Sequence, residues 1–160
     1  MSTYLVTLTC YGTWLHGDER GSVWRKGQTV NEHDLGPDPA LEAQMRRRMK
    51  HPEMRLNGPM RKVVREAIEE HCRYREWVLH AINVRTNHAH MVIGADVGAS
   101  RVLNSVKARA TRCLRDAGLI GPTQPVWAER GNRKHIESAE SLKDACHYVL
   151  EGQGADLPDD

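Results

Sequence analysis

Residues 76–96 read "EWVLHAINVRTNHAHMVIGAD". Two apolar runs rich in β-branched residues flank the turn-forming pair Thr86-Asn87, which predicts two strands joined by a short turn and therefore paired antiparallel. Along the second run alternate side chains share a face, so His88, His90 and Val92 point one way and Ala89, Met91 and Ile93 the other. The small and apolar set belongs to a core. The two imidazoles then emerge together, with α-carbons about 7 Å apart, close enough to converge on one metal ion. The spacing does not demand one: with 9 histidines in 160 residues, chance alone gives roughly half an H-x-H per chain. Two half-exposed strand histidines without a ligand fit the same pattern.

Working outward, residues 3–11, "TYLVTLTCY", read as a first strand ending at Gly12. The following segment, about 12–38, is rich in Gly and charge and has no period, which marks an irregular insertion. Asp38-Pro39 opens a helix carrying Leu41, Met45 and Met49. After Asn57-Gly58-Pro59, the residues Met60, Val63, Val64, Ala67, Ile68, His71 and Cys72 recur at helical spacing, so an amphipathic helix runs to about Arg75. His71 on that stripe reads as a satisfied core histidine.

Beyond the strand pair, Val102, Val106, Ala110 and Cys113 line the apolar face of another helix, broken between Gly118 and Pro125. "PVWAERGNRKHI" (125–136) reads as a short strand, a turn and a second strand. Ser138 caps a final helix that Gly152 stops, and residues 154–160 read as a disordered tail. This order predicts one α+β domain over 1–160, a ferredoxin-like antiparallel sheet with helices on one face. The open face of such a sheet can receive single-stranded nucleic acid.

Net charge is only +2, from 23 Lys and Arg against 21 Asp and Glu, so any polyanion must be met by local clusters such as 45–65 and 100–115. Those runs are equally what solvated helix faces look like. The four cysteines are scattered without a C-x-x-C pair and read as reduced core residues. No apolar run approaches the ~18 residues of a membrane span, and the start "MSTYLVTLTCYG" lacks the basic opening of a signal peptide, so the expectation is a cytoplasmic protein with no membrane partner.

In the last helix, Leu142, Ala145, Cys146 and Val149 form the buried stripe, which leaves Tyr148 on another side with its hydroxyl free. Taken in order, "NHAHMVIG", "SVKARATRCLR", "PVWAERG" and "SAESLKDACHYVLEGQG" resemble the HUH endonucleases, in the form found in single-tyrosine insertion-sequence and REP-associated tyrosine transposases. The resemblance covers about residues 3–153 apart from the region around "GTWLHGDERG". It implies that His88 and His90 are metal ligands, that Tyr148 is the nucleophile, and that the cofactor is Mg²⁺ or Mn²⁺. The family often takes a third ligand four residues past the tyrosine. Here that residue is Gly152, so Gln153 or Glu151 must substitute, or water completes the shell.

The implied activity is cleavage and strand transfer of single-stranded DNA bearing a hairpin or palindrome, through a covalent 5′-phosphotyrosine. A homodimer is the implied assembly, with single-chain action the alternative. For DNA contacts the residues offered are Lys107, Arg109, Arg112 and Arg115, with Arg46 to Arg48 extending the track, and Trp127, Trp14 and Trp24 as stacking platforms. Trp127 reads equally as core. His80 and His135 are expected to be structural, and His147 is a neighbour able to orient the tyrosine. Two competing readings remain: a nucleic-acid binder without catalysis on the same fold, and a zinc hydrolase indifferent to Tyr148.

Overall fold

The computed structural model describes residues 1–13, 22–25, 32–35, 38–129 and 131–157, with 22–25 and 32–35 described for their backbone alone. Its elements are β1 (Ser2–Thr9), β2 (Ser22–Arg25), β3 (Glu32–Leu35), α1 (Pro39–Arg48), α2 (Gly58–Tyr74), β4 (Val78–Val84), β5 (His88–Ala95), α3 (Ala99–Asp116), β6 (Asn132–Ile136) and α4 (Ala139–Glu151). The main sheet has the order β4-β5-β1-β6, with each neighbouring pair antiparallel. This is the expected ferredoxin-like α+β arrangement. Within the segment expected to be irregular, β2 and β3 pair antiparallel. The rest of that insertion, including Trp14 and the side chain of Trp24, lies outside the described residues, as do 158–160 of the tail.

Local chemistry accounts for the helix starts. Asp38 accepts a hydrogen bond from Leu41 N–H, Asn57 from Met60 N–H and Ser138 from Ser141 N–H, each satisfying a donor that the first turn leaves unpaired. Pro sits in the first turn of both α1 and α2, where its missing N–H costs nothing. α2 buries Val64, Ala67, Ile68 and Cys72, and α3 buries Val102, Leu103, Val106, Ala110 and Leu114. Both stripes meet one sheet face, where Val6, Leu8, Ala89, Met91 and Ile93 are fully buried.

α4 departs from a single helical layer. Its stripe of Leu142, Ala145, Cys146 and Val149 packs on Leu5, Ala81, Val92 and Ile136, on the sheet face opposite α2 and α3. The reason lies in β5, whose Val92 is as buried as the core-facing Met91 and Ile93 and so needs an apolar cover on its own side. "PVWA" also does less than expected. Trp127 makes an isolated bridge with Cys10, and only Asn132–Ile136 forms a strand.

His71 is satisfied as expected: its Nε2 pairs with Ser105 Oγ, and its ring meets Trp77 edge-on with centroids 5.5 Å apart. Burial lowers its pKa below 6.5, and Arg75 and Arg109 push the same way. The fold therefore holds the neutral ring. Its stabilisation is complete above the unfolded pKa of 6.5 and is lost as pH falls, because the unfolded chain takes up the proton first. Urea midpoints measured at neutral pH and at about pH 5.5 are expected to fall more for the wild type than for His71→Gln; equal falls would remove His71 from the account.

Candidate active site

On β5, His90 is only 7% exposed and His88 is half-buried, with ring centroids 4.6 Å apart. α4 brings Tyr148 over the same face. Its ring centroid lies 5.4 Å from that of His90, and the residue remains 46% exposed. One chain thus supplies both imidazoles and the phenol.

Hydrogen bonds orient the rings. His88 Nδ1 lies 2.8 Å or less from its partner, at 2.7 Å from Asn87 Oδ1, and His90 Nδ1 lies 2.8 Å from Thr7 Oγ1. An amide oxygen only accepts, so the shorter Asn87 contact favours the tautomer with the His88 proton on Nδ1, the one that leaves the Nε2 lone pair available to a metal. Gln153 is oriented independently, because its Nε2 donates to the Tyr148 carbonyl at 3.1 Å. That fixes Oε1 toward His88 Nε2 at 3.3 Å. The contact is a hydrogen bond when the His88 proton sits on Nε2, and with the proton on Nδ1 it turns the Nε2 lone pair and the amide oxygen toward one point, where a cation would fit.

The titration behaviour agrees. Burial lowers the pKa of His88, opposed by the Gln153 contact and aided by Arg85. His90 is lowered to about 4, by burial first and then by His88. Both rings are held neutral at neutral pH, and a set of two neutral imidazoles with an amide oxygen would fit Mn²⁺ or Mg²⁺, Mn²⁺ tolerating imidazole better. Among the described residues no three His, Cys, Asp or Glu side chains converge, so the third protein donor of such a set must come from outside those types.

The Gly152 departure has a local cause. Gly152 caps α4, its N–H donating to the Tyr148 carbonyl at 3.0 Å, and a Cβ there would lie 2.7 Å from that same oxygen. No side chain fits at this position without a shift, and the amide arrives one residue later. Gly152→Ala is expected to open the last turn and carry Gln153 away, weakening Mn²⁺ binding about tenfold. Calorimetry showing unchanged affinity would contradict the link between the cap and the amide.

The other sequence-predicted residues are not gathered here. Glu151 pairs with His147 at 3.1 Å, both largely exposed. His135 stacks on Tyr4 and pairs with Glu137, while His80 lies beside Gly94. Lys107 donates to the carbonyls of Ala128 and Glu129 at 2.9 and 3.2 Å, and burial lowers its pKa. Trp127 is half-buried and donates to the Lys107 carbonyl, so this pair braces the 121–129 loop. Arg115 reaches the Gln124 carbonyl, Arg112 lies 3.8 Å from Asp116, and Arg109 is near enough to His71 to depress it. All four basic residues belong to α3, on the layer opposite Tyr148. Thr7, Asn87 and Asn83, which donates to the Val149 carbonyl at 3.0 Å, had no assigned role in the sequence. Only the Asn immediately before H-x-H carried a signal.

The sequence pattern of the family described as "Transposase IS200 like" matches residues 42–151. The chain belongs to this family. The matched span of the transposase includes both histidines and Tyr148; β1 and Gln153 fall outside it. Among solved structures, a REP-associated tyrosine transposase bound to a REP hairpin is similar, with a TM-score of 0.50 and 15% identity over 92% of this chain and 64% of that one. At that identity the likeness is one of fold, and the chain spans 64% of the length of that neighbour. No curated protein matches the chain. The resemblance to HUH single-tyrosine transposases is thus borne out. No helix among the described residues of the transposase is long and apolar enough to cross a membrane.

Proposed function

We propose that this transposase cuts and rejoins single-stranded DNA through a covalent 5′-phosphotyrosine on Tyr148, with a divalent cation held by His88, His90 and Gln153. The observation that carries the reading is the juxtaposition in one chain of Tyr148, 5.4 Å ring to ring from His90, with the His88 Nε2 and Gln153 Oε1 atoms 3.3 Å apart. When bound, Mg²⁺ or Mn²⁺ supplies positive charge at the scissile phosphate and orients it for in-line attack.

The chain's own residues supply the rest. Tyr148 Oη attacks phosphorus, the bond from phosphorus to the 3′ oxygen breaks, the phenol gives up its proton, and the departing 3′ oxygen ends as a hydroxyl. Half-exposure leaves Tyr148 open to a strand and to a water that can relay the proton. Because the new ester resembles the bond it replaced, a 3′ hydroxyl from another strand can attack it and return the proton to Tyr148. Cleavage and joining are one reaction run both ways. Since one chain holds every named group, this reading needs no second copy.

The proposed substrate is single-stranded DNA carrying a hairpin, and the REP-associated neighbour is bound to a REP hairpin. A cleft of about 920 Å³ beside Asn83 is lined by Arg61, Lys62, Arg65 and Arg85 along with Glu66, Glu69 and Asp156. Arg85 is close enough to His88 to lower its pKa. Asn83 and Arg85 link this cleft to the strand pair that carries the histidines, and phosphates are proposed to pass there.

A pool of hairpin oligonucleotides with randomised single-stranded flanks, labelled at the 3′ end and incubated with Mn²⁺, is expected to yield a covalent protein adduct that a chelator abolishes. A mobility shift with no adduct would mark a binder and overturn the catalytic reading.

A further inference from the structure

The register of the sheet places three polar side chains on one rung. Asn83 on β4 lies directly opposite His90 on β5, which lies directly opposite Thr7 on β1. The adjacent rung on the same face, Ala81-Val92-Leu5, is the apolar seat of α4. A polar rung beside an apolar seat needs hydrogen-bond partners. Thr7 Oγ1 meets His90 Nδ1 at 2.8 Å, and Asn83 Nδ2 donates to the carbonyl of Val149, next to Tyr148, at 3.0 Å.

The helix they serve is lightly held. Val149 is its one buried residue, and past Tyr148, whose carbonyl the Gly152 N–H caps, the carbonyls of its last turn need partners from outside the helix. Asn83 satisfies one of them at the place where the nucleophile sits. On the other side of the rung, His90 ligates through Nε2 only if its proton stays on Nδ1, and Thr7 is the group able to accept that proton's hydrogen bond.

We infer that Thr7 and Asn83 are positioning residues that divide the work of the rung: Thr7 fixes the His90 tautomer for metal, and Asn83 latches the Tyr148 helix over it. The inference rests on the proposed cleavage site. It predicts a double dissociation. Thr7→Val weakens Mn²⁺ binding about tenfold and leaves α4 amide exchange unchanged, while Thr7→Ser restores the affinity. Asn83→Leu speeds exchange of the α4 amides about tenfold, slows single-turnover adduct formation to a similar degree, and leaves His90 protonated at Nδ1.

The measurements are Mn²⁺ titration by electron paramagnetic resonance, hydrogen exchange, and ¹⁵N-resolved spectra of the imidazoles in the metal-free protein. Wild type and Thr7→Ser are expected to show His90 protonated at Nδ1. A wild-type His90 protonated at Nε2 overturns the Thr7 assignment whether or not the valine variant folds. If Asn83→Leu fails to fold, Asn83→Asp keeps the shape and removes the donor. A shifted His90 tautomer in either Asn83 variant, or unchanged α4 exchange, overturns this division of work. Affinity, tautomer and exchange are read without DNA, so a wild type that binds Mn²⁺ yet never cuts DNA counts against the cleavage reading and not against this one.

Discussion

Tyr148→Phe abolishes the DNA adduct, at least about a thousandfold below wild type, while hairpin binding stays within about twofold. The substitution removes one oxygen from a side chain that is 46% exposed, and among the described residues its hydroxyl makes no hydrogen bond, so their packing does not depend on that oxygen. Packing on Ala81 and Val92 is left to Val149, and the ring remains to sit against His90. A variant of equal stability that still forms adduct would assign the nucleophile elsewhere. The predicted split between retained binding and lost chemistry separates this outcome from simple damage to the helix.

The second large effect is expected at the histidines. His90→Ala removes a neutral ligand from a nearly dry position, 7% exposed, and takes with it the partner of Thr7 and the ring beside Tyr148. Adduct formation is expected to fall on the order of 10²–10³-fold, with Mn²⁺ affinity falling alongside. His88→Ala keeps the Thr7 contact and the Tyr148 neighbour, so part of its loss is affinity alone and is recovered by raising Mn²⁺. Wild-type adduct formation that continues undiminished in a chelator would remove the cation from the mechanism.

The strands and helices were legible because each buries a face with a readable period: alternation along β5, three-to-four spacing along α2 and α3. The side of the sheet taken by α4 was not legible, although its stripe of Leu142, Ala145, Cys146 and Val149 was. A stripe shows which side of a helix is buried but not the surface that receives it. β5, apolar on both faces around Val92, held the answer only once its pairing with β1 and β4 was known.

At the site, the H-x-H alternation placed both imidazoles on one face, and the helical stripe left Tyr148 off it. Gln153 and Glu151 stood as equal candidates in the sequence. The geometry turns on the Gly152 cap, which folds the Gln153 amide back to Tyr148 and leaves Glu151 with His147. Thr7 and Asn83 were invisible for a different reason: each is far from His90 in sequence, and only strand register puts the three on one rung. The α3 arginines illustrate the converse. Their spacing announced a basic face, and the packing of α3 put that face on the layer away from Tyr148.

The most direct test of the central claim is to trap the adduct with Mn²⁺ and a hairpin strand, digest it with protease and nuclease, and map the modified peptide by mass spectrometry. The account predicts a nucleotide joined through its 5′ phosphate to Tyr148, in the peptide that spans "DACHYVLEGQG". A phosphate found on any other residue, or a cut strand bearing a free 5′ phosphate and no adduct, would contradict it.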